Sequence, residues 1–183
     1  VLDSVEKMRS KPIQRTDRYQ SAARFEDNVV VVGNQGIIVH SSDRGDSWKR
    51  SELAGWPALI DVATCPDGSF AALAYEHKVY VSSDGGASWR EKPIDTTETP
   101  QSITCAPDGR IWVVGSFSFI WSSIDGGDNW LATTRDEDAI LTTVQFFDAH
   151  NGIITGEFGI VLKTADGGEN WKELPRLAGE FYP

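Results

Sequence analysis

The chain has 183 residues, 40% of them apolar, with seven Trp and eight Phe, which is enough to bury a core and excludes a disordered chain. Its net charge of −10 argues against unspecific nucleic-acid binding, which needs a basic stripe. No run approaches the roughly 18 uninterrupted apolar residues of a membrane span.

Residues 1–18 read as a lead-in. Val1 stands without an initiator Met or an apolar leader, so the start reads as a processed end or the edge of a longer chain, with any targeting signal beyond it. The stretch VLDSVEKMRSK has room for a helical turn or two. Residues 1–24 hold six basic side chains (Lys7, Arg9, Lys11, Arg15, Arg18, Arg24) against Asp3, Glu6 and Asp17, a balance of +3 that leaves −13 for the remainder (−10 − 3). Two readings stand, a basic arm or a run of solvated charges.

From residue 19 to 175 the sequence is a repeat. Trp48, Trp89, Trp130 and Trp171 are 41 residues apart each time (89 − 48, 130 − 89, 171 − 130). The spacing predicts four units at about 19–53, 58–94, 100–134 and 140–175. Each opens with a short β-rich run, Ala22–Phe25, Leu59–Ala63, Gln101–Thr104 and Thr142–Phe146. In the middle units this run ends in Pro-Asp-Gly, where Pro presets φ and Gly accepts a positive one. A second and a third run follow as a hairpin: Val29–Val32 with Ile37–His40, Phe70–Leu73 with Lys78–Val81, Ile111–Val114 with Phe119–Ser122, and Ile153–Thr155 with Ile160–Lys163. A fourth, polar run starts near each Trp, as an outer edge strand should. Four antiparallel strands in about 40 residues is one propeller blade, so the expected fold is all-β, a β-propeller with four blades present. The terminal Gly179–Pro183 reads as a tail, 176–183, that leads into a further blade. Four blades that end there belong to a longer chain or close by pairing with a second copy.

The third and fourth runs are joined by SSDRGDSW, SSDGGASW, SIDGGDNW and TADGGENW. In each, Asp43, Asp84, Asp125 or Asp166 accepts backbone N–H bonds inside the turn. Gly45, Gly86, Gly127 or Gly168 takes the positive φ that closes it, and Trp48, Trp89, Trp130 or Trp171 wedges its ring beneath, burying about 200 Å². A calcium loop is the rival, but an EF-hand needs oxygens at alternate positions and a Glu at the twelfth, where these turns carry Gly. No metal and no cofactor is expected. Cys65 and Cys105 have no metal-ligand spacing. They read as small buried hydrophobes, a disulfide between neighbouring inner strands being the alternative.

S-x-D-x-G-x-[ST]-W is the Asp-box of bacterial-neuraminidase-type (BNR) repeats. The longer pattern G-x-x-G-x-(apolar)₂-x-[ST]-x-D-G-G-x-[NST]-W, met throughout by GEFGIVLKTADGGENW at Gly156–Trp171, resembles the photosystem II stability/assembly factor family. The first unit departs at Arg44, the second at Ala74 and His77. The resemblance covers about residues 20–175. It implies a seven-bladed propeller, exported to a periplasm or lumen, that acts as a non-catalytic binding or assembly factor. The arginine-rich patch of that family has no counterpart here.

The enzyme alternative is a sialidase-like glycoside hydrolase fragment, or else a carbohydrate-binding propeller. Sialidases resemble one another in an arginine triad, a Tyr/Glu nucleophile pair and an Asp acid/base; none of the four tyrosines here has an evident partner except Tyr75 beside Glu76. Binding is the preferred reading, by a protein partner on the face built from the hairpin tips and the connections between blades. Candidate residues are Gln35, Tyr75, Glu76, His77, Phe117 and Phe158 at the tips and Trp56 in a Gly-Trp-Pro connection. They vary between repeats, and specificity needs a surface that does not repeat. The acidic connections Asp95–Glu98 and Arg135–Asp138 favour a cationic or polar partner.

Overall fold

The computed structural model describes residues 10–135 and 137–175. The turns of helix expected in 1–11 fall almost wholly outside these residues, as do Asp136 and the 176–183 tail.

Apolar runs broken at Gly, Asp and Pro give sixteen strands in four antiparallel sheets of four, each a meander in chain order. The first sheet is β1 (Tyr19–Phe25), β2 (Asn28–Gly33), β3 (Ile37–Ser41) and β4 (Lys49–Glu52), and the second is β5 (Leu59–Thr64), β6 (Phe70–Ala74), β7 (Lys78–Ser82) and β8 (Arg90–Pro93). The third is β9 (Pro100–Cys105), β10 (Ile111–Gly115), β11 (Ile120–Ser123) and β12 (Leu131–Thr133), and the fourth is β13 (Leu141–Phe146), β14 (Gly152–Gly156), β15 (Val161–Thr164) and β16 (Lys172–Glu173). These are four propeller blades. Most strands run one to three residues beyond the apolar runs seen in the sequence, because ladder pairing continues into flanking Gly and Ser positions, as at Val29↔Ser41 and Phe70↔Ser82.

The inner strands β1, β5, β9 and β13 stand side by side in that order. Three apolar cores fill the gaps between successive blades: one around Val30, Ile38, Leu59 and Phe70, one around Leu73, Val79, Val113 and Trp121, and one around Trp112, Val114, Leu141 and Ile154. Side chains alternate across a strand, so a strand between two blades is buried on both faces. Every residue of β6 and β10 is buried, whereas β2 leaves Val29 and Val31 half-buried and β14 buries alternate residues only. The blades therefore form a stack that is packed between neighbours and one-sided at each end.

The outward side of the first blade meets the chain just before β1. Arg50, opposite Val39 in the ladder, donates to the carboxylate of Asp17 (2.9 Å) and the carbonyl of Pro12 (3.2 Å). The Asp17 side chain is 1% exposed. Burial pushes its carboxyl up, but bonds from Arg50, the Tyr19 hydroxyl and the Gln14 N–H outweigh this and hold it below the usual range.

The cysteines correct the expectation of two separate buried hydrophobes: Cys65 and Cys105 are bonded, with Cα atoms 4.9 Å apart. Adjacent inner strands bring their ends together, so two cysteines 40 positions apart become neighbours. Asp61, in the register slip of β5, acts as a second tie. It accepts from Ser21 Oγ on the first blade (2.8 Å) and from Ser102 Oγ and Ile103 N on the third (3.0 Å each).

Candidate functional site

The two ends of the blades are built differently. At one end lie the four Asp turns. Asp43 Oδ1 accepts from Ser41 Oγ (2.7 Å) and Ser47 N (2.8 Å), and Oδ2 from Ser47 Oγ (2.5 Å). Asp84, Asp125 and Asp166 repeat the pattern with Ser82 and Ser88, Ser123 and Asn129, and Thr164 and Asn170. These bonds hold all four carboxyls down at about 2. The largest cause is the side chain of Ser41 at Asp43, of Ser88 at Asp84, of Asn129 at Asp125 and of Asn170 at Asp166.

The glycines do more than close the turn. A Cβ on Gly86 (φ +91°) would lie 2.7 Å from Val30, and one on Gly168 (φ +89°) 2.3 Å from the Trp112 ring. Each of these turns is pressed against the preceding blade. The indoles of Trp48 and Trp89 donate to the carbonyls of Gly45 and Gly86 (2.9 and 3.0 Å). Trp130 and Trp171 make no such bond from Nε1; Trp171 instead stands edge-on to Trp112 and Phe146 (5.9 and 5.8 Å). Among the described residues no group of three or more His, Cys, Asp or Glu could hold a metal ion.

At the other end lie the hairpin tips. In three blades the tip is a two-residue turn closed by a backbone bond: Ile37 N to Asn34 O, Phe119 N to Ser116 O and Ile160 N to Glu157 O. Both central residues are left-handed, Gln35-Gly36 at φ 61° and 66°, Phe117-Ser118 at 53° and 55°, and Phe158-Gly159 at 55° and 72°. This is the geometry of a type I′ turn, which favours Asn-Gly. In the second blade only His77 (φ 59°) is left-handed, so the aligned Gly position tolerates His and Ser.

An L-residue with a bulky side chain is disfavoured in the left-handed region by roughly 1–2 kcal/mol. Two phenylalanines occupy it here, Phe117 at 51% and Phe158 at 69% exposure. Tyr75 (53%) and Trp56 (72%, φ 52°) complete the set on the same face. Hydrogen bonds show that the tips and the connections between blades interleave. Tyr75 N donates to Ala58 O and Ile94 N to His77 O; Ser116 N donates to Thr99 O and Ser118 N to Ala139 O; Glu157 N donates to Ile140 O. The order along the arc is Trp56, then Tyr75-Glu76, the 94–99 connection, Phe117, the 134–140 connection, and Glu157-Phe158.

One polar device was not legible in the repeat. A tip side chain accepts from the connection's backbone N–H, as Glu76 from Ala58 N (3.0 Å), Ser116 from Thr99 N (2.9 Å) and Glu157 from Ile140 N (3.2 Å). Glu76 thus has a structural task besides its place on the face. Beside Trp56 lies a cleft of about 280 Å³ lined also by Gln35, Ile37, Arg50 and Glu52.

Several arginines that a sialidase triad could draw on are paired with carboxylates at separate places. Arg44 pairs with Asp27 (2.6 Å), Arg50 with Asp17 and Arg135 with Glu173 (2.5 Å). Tyr80 is buried, donates to Glu91 (3.1 Å), and has its phenol pushed up to about 12, first by burial. Among the described residues no helix is long and apolar enough to cross a membrane.

Fold and repeat together define a β-propeller of BNR-type blades. The chain belongs to the family described as the photosynthesis system II assembly factor YCF48, whose profile matches residues 88–181. Among solved structures it is similar to YCF48 bound to a D1 peptide, at 16% identity and a TM-score of 0.55, over 86% of this chain and 66% of that one. It is similar also to YCF48 from Cyanidioschyzon merolae, at 16% identity and 0.54, over 87% and 73%. A streptogramin B lyase structure aligns at 15% identity and a TM-score of 0.72, over 86% of this chain and 54% of that one. At these identities the likeness is one of fold, and the chain spans roughly half to three quarters of the length of these proteins. No curated protein matches the sequence.

Proposed function

We propose that the chain is a non-catalytic binding or assembly module that takes a protein partner on the face of hairpin tips and connections. The observation that carries this reading is the backbone of Phe117 and Phe158. Strained left-handed positions persist where function requires them, and aromatic residues, Phe included, are enriched at protein interfaces relative to the rest of the surface. The opposite face is repetitive, its Asp-box carboxylates already bound within their own turns, so those residues are assigned a structural role. The solved YCF48 complex with a D1 peptide makes peptide capture the natural mode to test. The pairing of Arg44, Arg50 and Arg135 with carboxylates supports binding over glycoside hydrolysis. The Cys65–Cys105 bond supports an exported, oxidising location, since disulfides persist there. In the assembled protein the outward face of the fourth blade, half-buried along β14 and β15, is covered by further blades or by a second copy, because open propeller ends expose strands.

The test is a peptide-display selection on the folded chain, with the binding site mapped by amide chemical shifts. Shifts at Trp56, Tyr75, Phe117 and Phe158, and loss of binding in a Phe117→Ala/Phe158→Ala variant that still folds, are expected. Shifts centred on Arg44, Ala87 and Asp128 would move the site to the opposite face and refute the assignment.

A further inference from the structure

Resting on that reading of the tip face, we infer that the segment docked there is a basic peptide, with Lys or Arg interleaved with apolar side chains. The basis is the order of groups along the arc. Acidic side chains sit between the exposed aromatics: Glu76 beside Tyr75, Asp95 and Glu98 in the connection before Phe117, Asp138 in the connection after it, and Glu157 beside Phe158. The second and third tips are hydrogen-bonded to the connections on both sides and the fourth to the connection before it, so this alternation is a property of the folded surface and not only of the sequence.

Three basic groups at this end are held by acids of the chain itself: Arg50 by Asp17 (2.9 Å) and Glu52 (3.1 Å), Lys78 by Glu91 (2.8 Å) and Arg135 by Glu173 (2.5 Å). Arg18, exposed beside the first tip, adds a cation there, but along the second to fourth tips and the connections between them acidic side chains outnumber basic ones. Where Glu76, Glu98 and Glu157 accept from backbone N–H or hydroxyl groups, the donors are neutral and the carboxylates keep their charge. The opposite end is acidic too, but its Asp43, Asp84, Asp125 and Asp166 carboxylates are already bonded within their own turns.

An aromatic face next to a carboxylate suits a guanidinium or ammonium. The ring supplies a cation–π contact, and the acid supplies charge attraction at longer range. An acidic segment would meet repulsion at each interval between aromatics, which is how a surface rejects wrong partners.

The experiment titrates the folded 183-residue chain with two synthetic nine-residue peptides, one alternating Lys with Phe and Leu, the other carrying Glu in place of each Lys. Trp fluorescence and amide shifts are read at low and at 0.5 M salt. The Lys peptide is expected to shift Trp56, Tyr75, Phe117 and Phe158, to weaken about tenfold or more in high salt as screening predicts, and to weaken several-fold in an Asp95→Asn/Asp138→Asn variant of unchanged melting temperature. If the Glu peptide binds the same residues equally well, or if neither binds at millimolar concentration, the inference on charge is overturned while the tip-face assignment keeps its own test. If the Lys peptide binds but shifts only the Asp-turn end, both the inference and the assignment fall.

Discussion

Phe158 occupies the first central position of a type I′ turn at φ 55°, ψ 23°, directly before Gly159. Replacing it by Ala and by Asn separates two contributions to stability. At 69% exposure the side chain buries roughly a third of its area, about 60 Å² of a ring that would bury about 200 Å², worth about 1.5 kcal/mol at ~25 cal/mol per Å². That figure is an upper bound, because the unfolded chain also hides some apolar surface. Phe158→Ala loses this contact and keeps the left-handed strain. Phe158→Asn loses nearly the same contact but relieves much of the roughly 1–2 kcal/mol of strain, since Asn visits this region readily and Asn-Gly is the favoured type I′ pair. With about 2–4 °C per kcal/mol for a chain of this size, the Ala variant should melt about 3–6 °C below the parent and the Asn variant within about 2 °C of it. Scanning calorimetry on the intact chain reads both. Both variants should lose partner binding to a similar degree. Equal melting of the two, or Asn below Ala, would show that the turn stores no strain and would remove the main support for a functional tip.

Ser123 is buried, donates to Asp125 Oδ1 and accepts from Gly127 N at 2.8 Å each; Ser123→Ala should therefore lose about 1–3 kcal/mol of stability in chemical denaturation, the cost of an unsatisfied buried donor. A chelator should leave melting unchanged, and a marked drop would restore the metal reading of these turns. The four turn carboxyls titrate at about 2 when folded against about 3.9 in an unfolded chain. Their contribution is complete above about pH 4 and is lost as pH falls through about 2, so melting should be flat in this respect from pH 7 to 5 and fall steeply below 4. A melting curve that declined instead between pH 7 and 5 would point to other groups. Reducing the Cys65–Cys105 bond, which closes a loop of 40 positions, should destabilise by about 2–4 kcal/mol; identical melting with and without reductant would show that the cysteines are not paired in solution.

The sequence by itself determined the repeat, the four-stranded unit and the Asp turns. Each rests on local chemistry: β-branched and aromatic runs for the strands, Gly at Gly45, Gly86, Gly127 and Gly168 for positive φ, and an Asp placed to collect neighbouring donors. Such signals lie within about ten residues of one another and recur every 41, so they need no knowledge of what packs where. Tertiary structure decided the rest. Only stacking of inner strands brings Cys65 to Cys105 and Asp61 to Ser21 and Ser102, because residues about 40 apart meet only once the blades lie side by side. Only packing between blades shows that Gly86 and Gly168 are needed for close approach as well as for φ. The tip face is divided between the two. The variation of Gln35, Glu76, Phe117 and Phe158 at one repeat position is legible in the sequence. The left-handed backbone under the phenylalanines, the carboxylate of Glu76 on Ala58 N and the interleaving of acids with aromatics are not, since they depend on where the connection between blades folds back against the turn.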